Sequence, residues 1–268
     1  MFLAEYCLKL HRRQFFLKAW SAAKVDRPTR GVFAEIEMWR WFGSLLLLPI
    51  TVMAQPEQVR IGQGPDSFLI DRTEVTLGDF AAYAKRAGVL TAAEQQGGGY
   101  EFAGGWQRRP GWTFRTPFGQ EPTLDEPAVH LSWFEAKAYC EDRGGSLPSR
   151  QQWERAAYQE LRVDPPKGFE TGKIYPYPIG DSAQGANTVG ADDGWAGHAP
   201  VGRTRQGVNG LYDMGANVWE WLADARGQDR LTAGGSWWYG PQQMRAGAMQ
   251  YKPASFYAVY VGFRCVYP

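Results

Sequence analysis

The chain of 268 residues is 44% hydrophobic and 21% charged, and it contains 32 glycines, 17 prolines and 12 tryptophans. Its length allows one or two domains with a sizeable core, and its composition excludes disordered, collagen-like and coiled-coil chains. The net charge of +1 argues against a nucleic-acid-binding protein. This charge is unevenly distributed, because residues 1–40 hold eight of the 29 basic residues but only four of the 28 acidic ones. The remainder of the chain is therefore mildly acidic.

An uncharged apolar segment, residues 41–54, follows Arg40 and contains four consecutive leucines. A basic flank, a short apolar run and small residues after it are typical of a secretory signal peptide. The run is shorter than the roughly 20 residues of a membrane span. A buried core helix and an uncleaved membrane anchor are the alternatives.

Signal peptides begin at the start of a chain, whereas this segment begins near residue 38. We therefore hypothesise that Met38 is the true start and that residues 1–37 are an extension. We expect a periplasmic or secreted protein with no stable membrane span after processing, or a membrane-anchored one if the signal stays uncleaved.

Residues 55–268 are predicted to form one domain, since no linker, charge block or repeat divides them. Phe68–Asp71 predicts a short strand. A helix is predicted to start at Thr76, which is followed three residues later by Asp79, and to end at Gly88.

Two further helix starts match the capping box, in which a serine is followed three residues later by Glu or Gln. They are Ser132 with Glu135 and Ser149 with Gln152. The first of these helices is predicted to end near Arg143.

The segment after Tyr158 is rich in Gly, Asp, Asn, Pro and aromatic residues, with short apolar runs. A compact domain does not hold a structureless loop of such length. We expect aromatic packing, bound ions or a disulfide to order this segment in place of regular secondary structure.

Two cysteines, Cys140 and Cys265, remain once the N-terminal segment is removed. In an oxidising compartment they are a candidate disulfide, and two buried free thiols are the alternative. Two histidines, His130 and His198, also remain, which is too few for a three-histidine metal centre. The apolar neighbours of His130 favour a core position for it.

Two segments offer several oxygen atoms to a hard cation such as calcium. The first contains Asn187-Thr188 and Asp192-Asp193-Gly194-Trp195, and the second contains Asp213 and Asn217-Val218-Trp219-Glu220. Ordinary Asx turns and a helix start are the alternative.

Eight short sequence blocks stand in a characteristic order along residues 55–268. They are Glu74-Val75-Thr76, Pro127-Ala128-Val129 through Cys140, Leu147-Pro148-Ser149 to Glu154, Ala199-Pro200-Val201-Gly202, Asn209-Gly210-Leu211-Tyr212-Asp213-Met214, Asn217-Val218-Trp219-Glu220-Trp221, Gly234-Gly235-Ser236-Trp237 and Gly262-Phe263-Arg264-Cys265. Together they resemble the formylglycine-generating enzyme family, also called sulfatase-modifying factor domains. The order of the blocks makes the resemblance specific.

The resemblance implies an α+β domain with an irregular formylglycine-generating-enzyme fold, C-type-lectin-like and low in regular secondary structure. It also implies a disulfide between Cys140 and Cys265 and two structural calcium sites. The implied ligands are Asn187, the Thr188 carbonyl, Asp193 and the Trp195 carbonyl at one site, and Asp213, Glu220 and the carbonyls of Ala216 and Val218 at the other.

The family's oxidase holds copper(I) with two cysteines, five residues apart, that follow Gly-Gly-Ser, and thiolates suit this soft metal. The corresponding positions here are Tyr239 and Met244. Because both thiols are missing, we do not expect copper binding or copper-dependent conversion of a sulfatase cysteine to formylglycine. Whether the chain is an enzyme stays open, and it is a candidate pseudoenzyme.

Two functions remain. In the first, the chain is a maturation factor that performs non-copper oxidative or processing chemistry on an exported peptide or siderophore-type substrate. Exported relatives without the copper cysteines that act in siderophore maturation suggest this by resemblance. The candidate pocket for it consists of Ser236, Trp237, Trp238, Tyr239, Met244 and Arg245.

In the second function, the chain is a non-catalytic, lectin-like binding or assembly module. Its contact surface would use four tryptophans, Trp106, Trp112, Trp237 and Trp238, for which burial in the core is the alternative. In both cases the expected partner is an exported peptide, protein or peptide-derived metabolite, and nucleic acid is not expected.

Overall fold

The computed structural model describes residues 56–190 and 193–268, so the predicted signal segment 41–54 and the predicted start at Met38 lie outside the described residues. The helices are α1 Leu77–Ala87, α2 Ala92–Gln95, α3 Trp133–Asp142 and α4 Arg150–Tyr158. The strands are β1 Gln58–Ile61, β2 Phe68–Asp71, β3 Gly98–Phe102, β4 Trp106–Pro110, β5 Trp219–Arg226, β6 Asp229–Ala233, β7 Gln250–Pro253, β8 Val261–Gly262 and β9 Val266–Tyr267.

The three predicted helix starts are confirmed, because local side chains satisfy the free backbone groups at each of them. At α1 the Thr76 hydroxyl accepts a hydrogen bond from the Asp79 amide at 3.0 Å, and Gly88 ends the helix with a φ of 66°. At α3 the Glu135 carboxylate accepts from the Ser132 amide at 2.6 Å, and at α4 the full capping box of Ser149 and Gln152 forms. The short helix α2 carries the same signal in Thr91 and Glu94, which the sequence prediction missed.

The strands form three small sheets. The first has the order β1-β2-β9, the second is the hairpin β3-β4, and the third has the order β7-β6-β5-β8. In the third sheet β7 is an edge strand, antiparallel to β6, and Lys252 on β7 is opposite Arg230 on β6. This edge is the part of the fold that carries the candidate site.

The expectation for the segment after Tyr158 is correct only for its first part. Between α4 and β5 the described residues form neither an α-helix nor a named strand, whereas β5, β6 and β7 follow as a regular sheet. The first four residues of β5, Trp219 to Leu222, are all buried. A strand buried on both faces lacks the alternation that reveals a strand in sequence, and for this reason the sheet was missed.

The main core packs α1 and α3 against the C-terminal segment, residues 254–268, with Phe80 and Tyr139 stacked at 5.8 Å between ring centroids. The predicted disulfide is confirmed, since Cys140 on α3 is bonded to Cys265 across 125 residues of sequence. It joins α3 to the segment between β8 and β9. Among the described residues, none of the helices has the length and apolar character needed to cross a membrane.

Candidate functional site

The segment after β6 positions the residues that the sequence prediction grouped into a pocket. Gly234 has a φ of 94°, and a Cβ there would lie 2.9 Å from the Met214 carbonyl oxygen, so the backbone passes too close for a larger residue. The Trp237 amide then donates to the Asn217 carbonyl at 2.9 Å, and the Tyr239 amide donates to the Ser236 carbonyl at 2.9 Å. This turn directs the chain so that Tyr239 lines an open groove.

The groove lies between the β3-β4 hairpin, edge strand β7 and the C-terminal segment, and has a volume of about 430 Å³. Six aromatic residues line it: Tyr100, Trp106, Tyr239, Tyr251, Phe256 and Tyr260. Trp106 is in edge-to-face contact with Phe256, with ring centroids 4.9 Å apart, and Tyr239 contacts Tyr260 in the same manner at 6.0 Å. A volume of this size and an aromatic lining are typical of small-molecule sites.

Lys252 is the one basic residue among those that line the groove, and it is only 9% exposed. Its ammonium donates to the Thr232 hydroxyl at 2.6 Å and lies 4.2 Å from the centroid of the Trp219 ring. Burial lowers the pKa of Lys252 from its ordinary value to about 7. A lysine in this environment changes its charge near neutral pH, which suits proton transfer or the recognition of an anion.

The resemblance places Tyr239 at a copper-binding position of the family's oxidase, and the chemistry of this side chain is different. Burial raises the pKa of Tyr239 and of Tyr260, so both phenols stay protonated at neutral pH. They therefore offer hydroxyl groups rather than anionic ligands to the groove.

The structure separates the other predicted pocket residues. Of the six, Tyr239 lines the groove, whereas Met244 is 1% exposed and packs in a different cluster with Tyr177 and Ile179. The Arg245 guanidinium donates to the Tyr177 hydroxyl at 2.7 Å. Tyr239 and Met244, the two positions that the resemblance relates to copper binding, thus lie in different surroundings.

Ser236, Trp237 and Trp238 flank the groove without lining it. Ser236 is buried, and its hydroxyl has no hydrogen-bond partner. Trp237 is half-buried against Phe118 at 6.0 Å, whereas Trp238 is exposed. Of the other tryptophans predicted for a contact surface, Trp112 packs against the main core and Trp106 forms a groove wall.

The first predicted calcium set contains two buried oxygens that accept no hydrogen bond, Asn187 Oδ1 and Asp193 Oδ2. The Asn187 amide nitrogen is fixed by the Gly197 carbonyl at 2.9 Å, which leaves the oxygen free for another partner. Asp193 Oδ1 accepts from the Trp195 amide at 3.0 Å. Unpartnered buried acceptors are costly, and a hard cation would satisfy them, so these residues fit calcium.

The second predicted set fits calcium less well, because its two carboxylates already have protein donors. Glu220 accepts from the Arg264 guanidinium and from Trp153 Nε1 at 2.7 Å. Asp213 accepts from the Thr204 hydroxyl and from the Gly202 amide at 2.8 Å. The carbonyl ligands predicted at Ala216 and Val218 adjoin these side chains in sequence. Within the described residues, no cluster of three or more His, Cys, Asp or Glu side chains is placed to hold a metal ion.

Sequence reasoning missed Lys252 and most of the groove walls. Lys252 belongs to no motif, and only its inward position on β7 distinguishes it, which the register of the sheet decides. Trp106 was noted as an aromatic that a partner could contact, but nothing in the sequence joins it to Tyr239.

The fold and the ordered blocks define an irregular α+β protein of the sulfatase-modifying factor class. The family model described as Sulfatase-modifying factor enzyme 1-like domain matches residues 54–268, and the chain belongs to this family. The predicted formylglycine-generating-enzyme fold, C-type-lectin-like and low in regular secondary structure, is confirmed.

Two curated relatives illustrate the range of the family. The chain is 31% identical over 200 residues to the formylglycine-generating enzyme of Thermomonospora curvata, covering 61% of this chain and 63% of that enzyme. It is also 31% identical over 226 residues to the inactive C-alpha-formylglycine-generating enzyme 2 of Mus musculus, covering 66% and 68%. The match thus spans less than two thirds of the Thermomonospora enzyme.

A solved structure supports the fold at lower identity. The structure of PvdO from Pseudomonas aeruginosa has a TM-score of 0.56 and is 22% identical, covering 78% of this chain and 90% of that chain.

Proposed function

We propose that the chain is an exported maturation factor that performs non-copper oxidative or processing chemistry on a peptide or peptide-derived substrate bound in the groove at Tyr239. The observation that carries this proposal is a concave aromatic site that contains a buried basic residue, Lys252. A non-catalytic binding module does not need a buried titratable group in its contact surface, whereas an enzyme uses one to move a proton or hold a charge.

The proposed export is supported by the signal-like segment 41–54 and by the Cys140–Cys265 disulfide, because disulfides persist in oxidising compartments. A siderophore-type precursor is one peptide-derived substrate consistent with this location.

The test is a comparison of peptides and metabolites by mass spectrometry between a deletion strain and the same strain complemented with the wild-type gene. We expect one fixed mass difference that complementation restores, and that difference identifies the reaction. An unchanged profile together with lost assembly of a partner would support the binding module instead.

Paired tyrosine variants locate the chemistry. Tyr239→Phe removes a hydroxyl in the groove and is expected to lower the amount of product about tenfold or more, a typical effect of losing a positioned proton donor. Tyr83→Phe removes a hydroxyl from α1, outside the groove, and should leave the product unchanged. Wild-type product levels in Tyr239→Phe would place the chemistry elsewhere.

The copper reaction has its own test. The purified chain is incubated with a sulfatase-motif peptide, copper(I) and oxygen, and we expect no aldehyde, because neither Tyr239 nor Met244 supplies a thiolate. Aldehyde formation would contradict the proposal directly.

We also propose that the first predicted set, with Asn187 and Asp193, holds one structural calcium ion. A ligand that binds only the folded state raises its stability, so a chelator should lower the melting temperature by several degrees and added calcium should restore it. Asn187→Leu should abolish this calcium dependence. A melting temperature that the chelator leaves unchanged would contradict the proposed calcium site.

A further inference from the structure

Lys252 is a buried cation whose contacts are all neutral. Its ammonium donates to Thr232 Oγ1 at 2.6 Å, lies 3.5 Å from Gln250 Oε1, and faces the Trp219 ring. Within the described part of the chain, no carboxylate forms an ion pair with it. Buried charges in proteins are normally paired, so this one calls for an explanation.

The groups around the groove do not supply the missing negative charge. Its titratable side chains besides Lys252 are the phenols of Tyr100, Tyr239, Tyr251 and Tyr260. Two guanidiniums approach from neighbouring strands, with Arg226 over the Tyr251 ring at 4.1 Å and Arg108 over the Tyr100 ring at 5.1 Å. Arg226 is itself 4.0 Å from the Asp229 carboxylate, which lies opposite Pro253 in the sheet. The residues that line the groove include no carboxylate, so an anion that entered it would meet no repulsion from the lining itself.

The walls of the groove indicate the shape and polarity of a ligand in addition to its charge. Trp106 is 51% exposed, although it packs edge-on against Phe256 and lies 6.0 Å from Tyr260. An indole left open to solvent beside a cavity offers a face on which a planar, apolar group stacks. The burial of Lys252 lowers its pKa to about 7, and a bound anion would offset that cost by favouring the ammonium form.

We propose that the groove binds an aromatic carboxylate, with the carboxylate on the Lys252 ammonium and the aromatic ring against Trp106 and Tyr260. This rests on the proposed function in taking the groove as the substrate site, and it specifies the class of substrate as one with a flat apolar group near a free carboxylate. A peptide or peptide-derived acid that ends in an aromatic residue has this chemistry.

The test measures binding to the full chain by calorimetry with two matched probes. N-acetyltyrosine carries the carboxylate, and N-acetyltyrosine amide has the same ring without the charge. We expect the acid to bind about tenfold more tightly, which is the effect of one charge-assisted hydrogen bond. Near pH 7.5 its binding should also take up protons, observed as a heat that depends on the ionisation enthalpy of the buffer, because the anion raises the pKa of Lys252.

Variants assign this preference to the ammonium group. Lys252→Met should bind the two probes equally and without proton uptake, whereas Lys137→Met, an exposed lysine paired with Glu141 on α3, should behave as wild type. Lys252→Arg keeps the charge and should retain a preference for the acid. This last variant matters if Lys252→Met binds neither probe, since a merely structural lysine would not be rescued by arginine at this position.

Equal binding of the two probes by the wild type, or binding of neither, would overturn the inference. So would a preference for the acid that persists in Lys252→Met. The mass difference between strains is measured separately. If the mass difference between strains is found but the wild type shows no preference for the acid, only this inference fails. If the preference is found without a mass difference, the proposed chemistry fails.

Discussion

Arg264 and Lys252 are both buried cations, and the comparison of their surroundings separates structure from function in this molecule. Arg264 is fully buried, and its guanidinium donates to Glu220 at 2.7 Å and to the Tyr212 carbonyl at 2.8 Å. Although burial opposes the charge, Glu220 holds the pKa of Arg264 above its ordinary value. Lys252 has only neutral partners, and burial lowers its pKa to about 7.

The two cations differ in whether the protein neutralises their charge. At Arg264 every donor is matched, so the group fixes the C-terminal segment against β5 and the loop that contains Tyr212. At Lys252 the charge is unmatched beside an open aromatic groove. Unsatisfied polar groups persist at functional sites at some cost in stability.

We expect the largest loss of stability when the ion pair between Arg264 and Glu220 is broken. Arg264→Met leaves the Glu220 carboxylate buried without its cation and should lower the free energy of unfolding by about 3–5 kcal/mol. The measurement is unfolding in guanidinium chloride. Arg226→Met, which removes an exposed guanidinium, is the control and should change the stability by less than about 0.5 kcal/mol. If Arg264→Met lowers the free energy of unfolding by less than about 1 kcal/mol, Arg264 and Lys252 do not differ in their contribution to stability as argued above.

The disulfide lies beside this ion pair in sequence and is expected to have the next largest effect. Replacing Cys140 and Cys265 by alanine opens a loop of 125 residues, which should cost about 3–4 kcal/mol. Combined with Arg264→Met, the loss should be less than the sum, because both hold the same segment. Strict additivity would show that the ion pair and the disulfide act independently.

His130 is a second basic group whose pKa is lowered mainly by burial, with a smaller contribution from His198. It is fully buried, with Nε2 at 2.9 Å from the Pro117 carbonyl, and burial lowers its pKa to about 4. A Cβ at Gly99 would lie 2.1 Å from this ring, so glycine at that position makes room for the imidazole.

In the unfolded state His130 has its ordinary pKa, so the unfolded state binds one more proton than the folded state as the pH falls below that pKa. Stability is therefore retained at neutral pH and should fall by about 3 kcal/mol between pH 6.5 and pH 4. His130 has a φ of 56°, which asparagine tolerates, so His130→Asn is the matched variant and should flatten this part of the pH profile. An identical slope in both proteins would assign the acid sensitivity to other groups.

The smallest effect, opposite in sign, is expected from Lys252→Met. Removing an unpaired buried charge relieves its desolvation, and Thr232 keeps its hydrogen bond to the Gln250 carbonyl. We expect a gain of about 1 kcal/mol in unfolding free energy at pH 7, measured as above. A loss larger than about 1 kcal/mol would make Lys252 a structural anchor like Arg264.

The fold was predicted from the sequence where local signals decide it. The starts of α1, α3 and α4 follow from capping residues that act within three positions, and β2 from a short apolar run. The sheet of β5 to β8 was not predicted, because the buried residues of β5 show no alternation and pair with β8, which lies far along the chain.

The candidate site was predicted in part. The Gly-Gly-Ser block indicated the position of Tyr239. The count of cysteines left a disulfide or two free thiols possible, and the family resemblance implied the disulfide that the structure contains. Met244 and Arg245 follow closely in sequence, but the 3₁₀ turn at Pro241–Met244 buries Met244 in another cluster. Residues that are close in sequence therefore do not all line the same groove.

Residue identity and spacing over a few positions were enough to predict the family, the helix starts, the missing copper thiolates and the pair of cysteines. The folded chain was needed to show that Lys252 is buried beside Tyr239, that Trp106 and Tyr260 form one wall, and that Arg264 pairs with Glu220. Burial and pairing set the charge of a group, and both depend on segments that lie far apart in the chain.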